Sequence, residues 1–226
     1  MFDKNKIHTS FIGTAVFPKL VKPETKWNKD GVYEVKIKGT KAEEDAFIAY
    51  LQPLLDEAHL EVCKEQKKKT IKKANAWHPE IEKKKDEQGM VVEEIPTGFQ
   101  LFKFKLNAQG KRKDGTIYYM KPGLFDSQGK AVKVHEGLEI NGGSMVRVAF
   151  RCRPYYTAKD NIAGLTLQIV NVQLVKLVER GGVTAEASGF TAVDGGYVDD
   201  GGSVSEAQGS PSAPSDEAPD PTDADF

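Results

Sequence analysis

The stretch SMVRVAFRCRPYY at residues 144–156 alternates between apolar and polar side chains with the two-residue period of a β-strand. One face is apolar and is predicted to point into a core; it consists of Val146, Val148, Phe150 and Cys152. The opposite face carries Arg147, Arg151 and Arg153, and the stretch ends in Tyr155 and Tyr156. Three arginines on one face repel one another unless negative charge lies close by. The pattern therefore indicates either an anionic partner or ion pairs with carboxylates on a neighbouring strand.

The same alternation recurs along the chain and predicts five to seven strands. The predicted strands are 11–18, 31–38, 98–106, 144–156 and 164–178, with shorter candidates at 117–120 and 130–134. The run at 164–178 is so long that we expect it to bend or bulge. Turn dipeptides such as Asp30-Gly31 and Asp114-Gly115 separate these runs.

One helical stretch interrupts the strands, because apolar residues recur at a spacing of three to four between Phe47 and Val62. Thr40 and Glu43 fit a capping box at its start. Pro53 is predicted to kink or split the helix, and Pro79 to end the helical run. Because lysines are frequent there, residues 59–85 are described as a basic helical stretch. The fold class predicted is mainly β with a helical insertion, a small closed or nearly closed barrel with the helix packed on it.

Two further strands place lysines outward near aromatic rings. In 98–106 the outward face holds Phe99, Lys103 and Lys105, and in 31–38 it holds Lys36 and Lys38. Lysine and arginine bind phosphates, and aromatic rings stack on bases that are unpaired, so the pattern favours a surface for single-stranded nucleic acid. Solvated or ion-paired strand faces are the alternative. The candidate DNA-binding residues are Arg147, Arg151, Arg153, Tyr155, Tyr156, Lys103, Lys105, Phe99, Lys36, Lys38 and, in a polar loop, Trp27.

The charge is distributed very unevenly along the chain. Residues 181–226 contain ten acids and no base, whereas residues 1–180 contain 32 bases and 23 acids. The last 46 residues are also rich in Gly, Ser and Pro, a composition that cannot bury enough apolar area to fold. We therefore predict two parts, a basic domain at 1–180 and a disordered acidic tail at 181–226.

Several classes of protein are not indicated. No apolar run is long enough for a membrane span, and the first ten residues lack the features of a signal peptide. The cysteines, Cys63 and Cys152, are far apart, which argues against a disulfide scaffold or a zinc cluster and fits a reducing cytoplasm. Nucleotide-binding loops and hydrolase motifs are missing from the sequence, and the four histidines are scattered. We predict no catalysis, no metal and no cofactor.

Three segments and the C-terminus carry a resemblance to a known family. They are GTAVFPKLVKPE (13–24), YMKPGLFDSQGKAV (119–132), NGGSMVRVAFRCRPYY with GLTLQIVNVQLVKL (141–177), and the terminal Asp-Ala-Asp-Phe. Together they resemble the single-stranded-DNA-binding proteins of T7-type phages, over most of 11–180 and the tail.

The resemblance implies an OB fold without enzymatic activity, and DNA bound along a basic, aromatic groove. It also implies a tail that recruits replication proteins such as DNA polymerase or helicase-primase, here through Asp223, Asp225 and Phe226. The expected role is in phage DNA replication and recombination in the cytoplasm of the infected host cell.

Two alternatives stay open at this point: a strand-annealing recombination mediator, and a scaffold or interaction protein whose basic face neutralises other acids. The oligomeric state (monomer or homodimer), the preference for DNA or RNA, and the role of 59–85 are also open.

Overall fold

The computed structural model describes residues 2–178 except Lys69, Glu87 and Glu136. The predicted acidic tail, with Asp223, Asp225 and Phe226, lies outside the described residues, so the division at residue 180 stays a prediction. The described part contains the strands β1 (Ile7–Thr9), β2 (Gly13–Glu24), β3 (Val32–Lys38), β4 (Lys72–Lys73), β5 (Trp77–Lys85), β6 (Val91–Asn107), β7 (Gln109–Lys111), β8 (Ile117–Tyr119), β9 (Gly123–Phe125), β10 (Met145–Thr157) and β11 (Ile162–Lys176), and the helix α1 (Lys41–Glu65).

Five of these strands close into a barrel. β2 pairs with β3, β3 with β6, β6 with β11, β11 with β10, and β10 again with β2. All of these pairs are antiparallel except β6–β11, which is parallel. This is a five-stranded barrel of the OB type, which confirms the predicted fold class. The short strands extend it: β1 pairs with β10, and β4 and β9 pair with β11.

The barrel interior is filled by the residues that alternation assigned to it. Val146, Val148, Phe150 and Cys152 are all fully buried, as predicted. Phe104 meets Phe150 edge to face at 5.1 Å between ring centroids, and Phe47 of α1 meets Phe102 in the same way at 5.0 Å. Each such ring pair contributes about 0.5–1.5 kcal/mol beyond the area it buries. The helix thus closes one side of the same core.

The start of α1 is as predicted, the helix is not split at Pro53, and its end comes earlier than predicted. The Thr40 side chain accepts a hydrogen bond from Glu43 N, and the Glu43 side chain caps Thr40 in return. The helix continues through Pro53 as one element because its buried face, Phe47, Leu51, Leu55, Ala58 and Val62, packs on both sides of the proline. Its end is at Glu65, well before Pro79.

No helix in the described residues combines the length and apolarity needed to cross a bilayer.

The prediction of a basic helical stretch at 59–85 is therefore wrong beyond Glu65. Residues 77–85 form β5, which pairs antiparallel with β6 and builds a two-stranded arm at the edge of the barrel. Lysines of β5 face carboxylates of β6: Lys83 Nζ lies 2.9 Å from Glu94 Oε1, and Lys84 Nζ lies 3.1 Å from Glu93 Oε2. The strand is one side of a hairpin with β6: Lys85 lies opposite Val91, and Asp86 N donates to Met90 O in the turn between them. Pairing with the next strand, and not an apolar periodicity of its own, therefore makes this segment a strand.

Two smaller predictions had opposite outcomes. Residues 130–134 are not a strand; they make only an isolated bridge between Ala131 and Phe125. The expected irregularity in 164–178 is confirmed, because Ala149 lies opposite Asn171 whereas Phe150 lies opposite Ile169. One residue of β11 is therefore extra at this point, and the strand bulges.

Candidate nucleic-acid interface

The register of three adjacent strands brings polar side chains from distant parts of the chain together. Lys105 of β6 lies opposite Gln168 of β11, which lies opposite Arg151 of β10. Neighbouring strands are about 4.8 Å apart, so these residues form one row across the outside of the barrel. In the next row Thr166 lies opposite Arg153. The outward faces predicted for β6 and β10 therefore share one surface.

A groove of about 280 Å³ runs along this surface. We call it the barrel groove; it is lined by Lys105, Asn107, Arg153, Pro154, Tyr155, Thr166 and Gln168. Arg153 Nε donates a hydrogen bond to Gln168 Oε1 at 2.7 Å, which ties the guanidinium to another residue of the groove lining. A Cβ at Gly164 would lie 2.8 Å from the Tyr155 hydroxyl oxygen, so the missing side chain makes room for that ring. Tyr155 keeps 36% of its surface exposed.

The cations around the barrel fall into two groups. Lys103 Nζ lies 2.7 Å from Glu34 Oε2, and Lys38 Nζ lies 2.7 Å from Glu80 Oε1. The hydrogen bond from Lys38 also holds the pKa of the Glu80 carboxyl below its usual range. For these two lysines the ion-paired alternative is therefore the one observed. The second group has no carboxylate within ion-pair distance among the described residues; it consists of Lys105, Arg147, Arg151 and Arg153.

Lys36 lies directly opposite Lys103 on the neighbouring strand. His78 of β5 lies near both lysines, and its pKa is lowered, first by burial and then by these two positive charges. The imidazole of His78 is therefore neutral and adds no positive charge to this region. Glu34 pairs with Lys103, so among the described residues the positive charge that stays without an ion-pair partner here is that of Lys36.

The other two arginines of β10 have different surroundings from Arg153. Arg151 Nε donates to the main-chain oxygen of Asn5 at 3.3 Å, beside the barrel groove. Arg147 is farther along the strand, in a separate cavity whose lining includes Phe125, Asn171 and Gln173. Its Nε is buried without a hydrogen-bond partner in the part of the chain that the structure describes. The three arginines therefore share one face of β10, as predicted, but Arg147 and Arg153 line different cavities.

Besides Arg147, the aromatic residues Tyr156, Phe99 and Trp27 are not part of the groove lining. Tyr156 points to the opposite side of β10 from Tyr155: its hydroxyl accepts a hydrogen bond from Lys68 Nζ at 2.9 Å and donates one to Asn161 Oδ1. Its ring packs on the small cluster of Val62, Ile71 and Ala163, which is a structural role. Phe99 lies where β6 leaves the barrel for the arm. Trp27, in the β2–β3 loop, is 86% exposed with Lys26 Nζ 5.1 Å from its ring centroid.

The sequence interpretation missed the uncharged lining of the barrel groove. Thr166 and Gln168 alternate with the buried Leu165, Leu167 and Ile169 along β11. Applying the two-residue period to this strand would have shown them facing outward beside β10. Asn107, two residues beyond Lys105, follows from the same rule.

Among the described residues, no three His, Cys, Asp or Glu side chains come together as a metal site requires. Burial raises the pKa of the Cys152 thiol to about 12, so it stays protonated and unreactive at neutral pH.

The comparison with family models covers nearly the whole barrel. The model for the single-stranded DNA-binding protein of bacteriophage T7 matches residues 14–177, from the start of β2 to the end of β11. This chain belongs to that family. A single-stranded DNA-binding protein of enterobacteria phage T3 is 28% identical over 208 residues, 86% of each chain. The resemblance drawn from the sequence segments is thereby confirmed.

The fold is also found in a solved structure of the family. The crystal structure of gp2.5, a single-stranded DNA-binding protein encoded by bacteriophage T7, superposes with a TM-score of 0.60 at 23% identity. The match covers 86% of this chain and 98% of gp2.5. This likeness supports the barrel architecture.

Proposed function

We propose that this protein binds single-stranded DNA in the barrel groove, without catalysis. The observation that carries the proposal is the barrel groove itself, which Lys105 and Arg153 line together with Tyr155. Neither cation has a carboxylate partner among the described residues. Uncompensated cations attract phosphates, and an exposed ring stacks on a base. Membership of a phage single-stranded-DNA-binding family supports the same ligand.

A single strand suits this site better than a duplex. The face of a base is available to Tyr155 only when the base is unstacked, and stacking contributes about 1–3 kcal/mol per base. The other groove-lining groups are short polar side chains, Asn107, Thr166 and Gln168. They offer hydrogen bonds without a fixed pattern of paired base edges, so we expect little sequence preference.

The protein's place is phage DNA replication and recombination in the cytoplasm of the infected host cell. There it would cover and protect single strands, and its tail would recruit a replication protein such as DNA polymerase or helicase-primase. Support for the tail's role comes from its composition: ten acids tethered to a basic domain, ending in Asp225 and Phe226. A tethered polyanion competes with DNA for a basic groove. When DNA binds in the groove, the tail is displaced and becomes available to a partner protein.

Two experiments test the proposal against its alternatives. Titration of intrinsic tyrosine and tryptophan fluorescence with dT oligonucleotides, at two salt concentrations, should show quenching that weakens with salt. Heparin at the same charge concentration, and a duplex of the same length, should compete poorly. Equal binding of heparin would instead favour the scaffold alternative. Mixing complementary strands with the protein and following duplex formation separates a strand-annealing mediator from a protein that only covers single strands.

A further inference from the structure

The pairing of β2 with β3 contains a bulge. Val16 lies opposite Lys36 and Lys19 lies opposite Glu34, so Phe17 and Pro18 together face the single residue Val35. Pro18 has no N–H to donate to the ladder, and proline within a sheet occurs at edges and bulges. The proline thus accounts for the irregular pairing.

The bulge reverses the side on which the following residues of β2 point. Gly13 and Ala15 face the core, and regular alternation would place Phe17 there next. Beyond the bulge the buried residue is instead Leu20, an even position, and Phe17 is 76% exposed. A large apolar ring that alternation would bury is therefore turned into solvent.

The backbone at Phe17 has φ +50°, in the left-handed region. A residue with a Cβ is strained there, whereas glycine adopts this conformation freely and asparagine does so more readily than phenylalanine. A phenylalanine at this position neither fills the core nor relieves the strain of the bulge. Strained residues that the surrounding fold maintains cluster at binding sites, and bulges there re-aim side chains.

The neighbours of Phe17 indicate what the ring would contact. Lys36 lies opposite Val16 on β3, and Lys19 is exposed two residues farther along β2. The nearby carboxylate, Glu34, is already held by Lys103. An apolar ring beside uncompensated lysines presents the same combination as Tyr155 with Lys105 and Arg153 in the barrel groove.

We infer that Phe17 is a second stacking residue, which holds a base of the single strand where it passes from the barrel groove over β3 to β2. The register places β3, β6 and β11 between β2, which carries Phe17, and β10, which carries Tyr155, a distance of four strand spacings or about 19 Å across the sheet. A single strand of the length that one OB fold covers, about 4–16 nucleotides, can span this distance and reach both rings. The inference rests on the proposed function, because it assigns a further contact to the same ligand.

The test compares Phe17→Gly and Phe17→Trp with the unchanged full-length protein. Glycine removes the ring and also the backbone strain, so its thermal midpoint should equal or exceed that of the wild type. Its affinity for a dT oligonucleotide should nevertheless fall about 5- to 150-fold, the equivalent of removing one base stack, with an unchanged salt slope. Phe17→Trp should keep the affinity within about twofold and show quenching of the new indole on binding.

The matched control is Tyr119→Ala, because Tyr119 is a comparably exposed ring, 80%, on β8, which pairs with β7. The part of β2 nearest to it is Pro23, with which it lines a cavity and which lies six residues from Phe17 along the strand. The affinity of Tyr119→Ala should stay within about twofold of the wild type. An unchanged affinity of Phe17→Gly, in a protein whose DNA binding still depends on Lys105, would overturn this inference and leave the proposed function standing. A large drop in the thermal midpoint of Phe17→Gly would also overturn it, by making the ring structural. A wild type that does not bind dT would remove the proposed function first.

Discussion

Replacing Lys105 and Arg153 together by glutamine should flatten the salt dependence of single-stranded DNA binding. Removing one phosphate contact reduces the slope of log affinity against log salt by about 0.7, so removing two reduces it by about 1.4. Between 50 and 200 mM salt, a fourfold change, the affinity of the wild type should therefore fall about sevenfold more than that of the variant. Fluorescence titrations with a dT oligonucleotide across this range give both slopes.

The double variant should remain folded. Lys105 is exposed, and Arg153 gives up a single hydrogen bond, to Gln168, worth about 0.5–1.5 kcal/mol. A thermal melt followed by circular dichroism checks this before the titrations are interpreted.

The matched control is Glu34→Gln with Lys103→Gln, which removes an ion pair on the same side of β6 without changing the net charge. The pair is partly exposed and contributes about 0–1 kcal/mol to stability, so this variant should also fold. Because Glu34 already neutralises Lys103, its salt slope should match that of the wild type. Equal slopes for the wild type and the Lys105 and Arg153 variant, or a larger change in the control, would refute the assignment of the free cations to the DNA.

Three further predictions concern single elements of the protein. Tyr155→Ala should weaken dT binding about 5- to 150-fold without altering the salt slope, and Tyr155→Phe should restore it, since the ring and not the hydroxyl stacks; a changed slope would point to a phosphate contact instead. The pKa of His8 is lowered, first by burial and then by Lys6, so the unfolded chain binds the proton more readily. The free energy of unfolding, measured by urea titration, should therefore fall as pH drops below about 6.5. In His8→Phe the free energy of unfolding should fall less steeply with pH. If the two proteins lose stability in parallel, His8 is not the group that causes the pH dependence. Deleting residues 181–226 should tighten DNA binding, most at low salt, whereas Phe226→Ala should leave DNA affinity unchanged and abolish capture of a replication protein; unchanged affinity after the deletion would eliminate tail competition.

The sequence was most informative where one face of a strand is entirely buried. In β10 the two-residue period identified all four buried residues because each is apolar and the alternate positions hold three arginines and the small Ala149. The period failed at 77–85, where five of the nine residues are lysine or glutamate and Trp77 and Ile81 are the only large apolar side chains. Such a segment has no local preference for a strand, and it forms one only because β6 lies beside it.

For the site, alternation gave the direction of each side chain but not its neighbour. Lys103 and Lys105 are equivalent in the sequence pattern, yet only Lys103 has Glu34 as an ion partner among the described residues. The register of β3 against β6 places Glu34 directly opposite Lys105, yet its carboxylate pairs diagonally with Lys103, and only the side-chain geometry of the folded protein shows this. Tyr156 was assigned to the binding surface although alternation itself places it on the other side of β10 from Tyr155.

The most direct measurement of where the strand lies is photocrosslinking. A dT oligonucleotide carrying 5-bromodeoxyuridine is irradiated with the full-length protein, and the linked residue is identified by mass spectrometry of the digested complex. Our account predicts a crosslink at Tyr155, distinguished from Tyr156 by fragmentation, that excess unlabelled dT prevents. Crosslinks at Tyr156 or at Tyr50 of the helix, with Tyr155 unmodified, would contradict binding in the barrel groove.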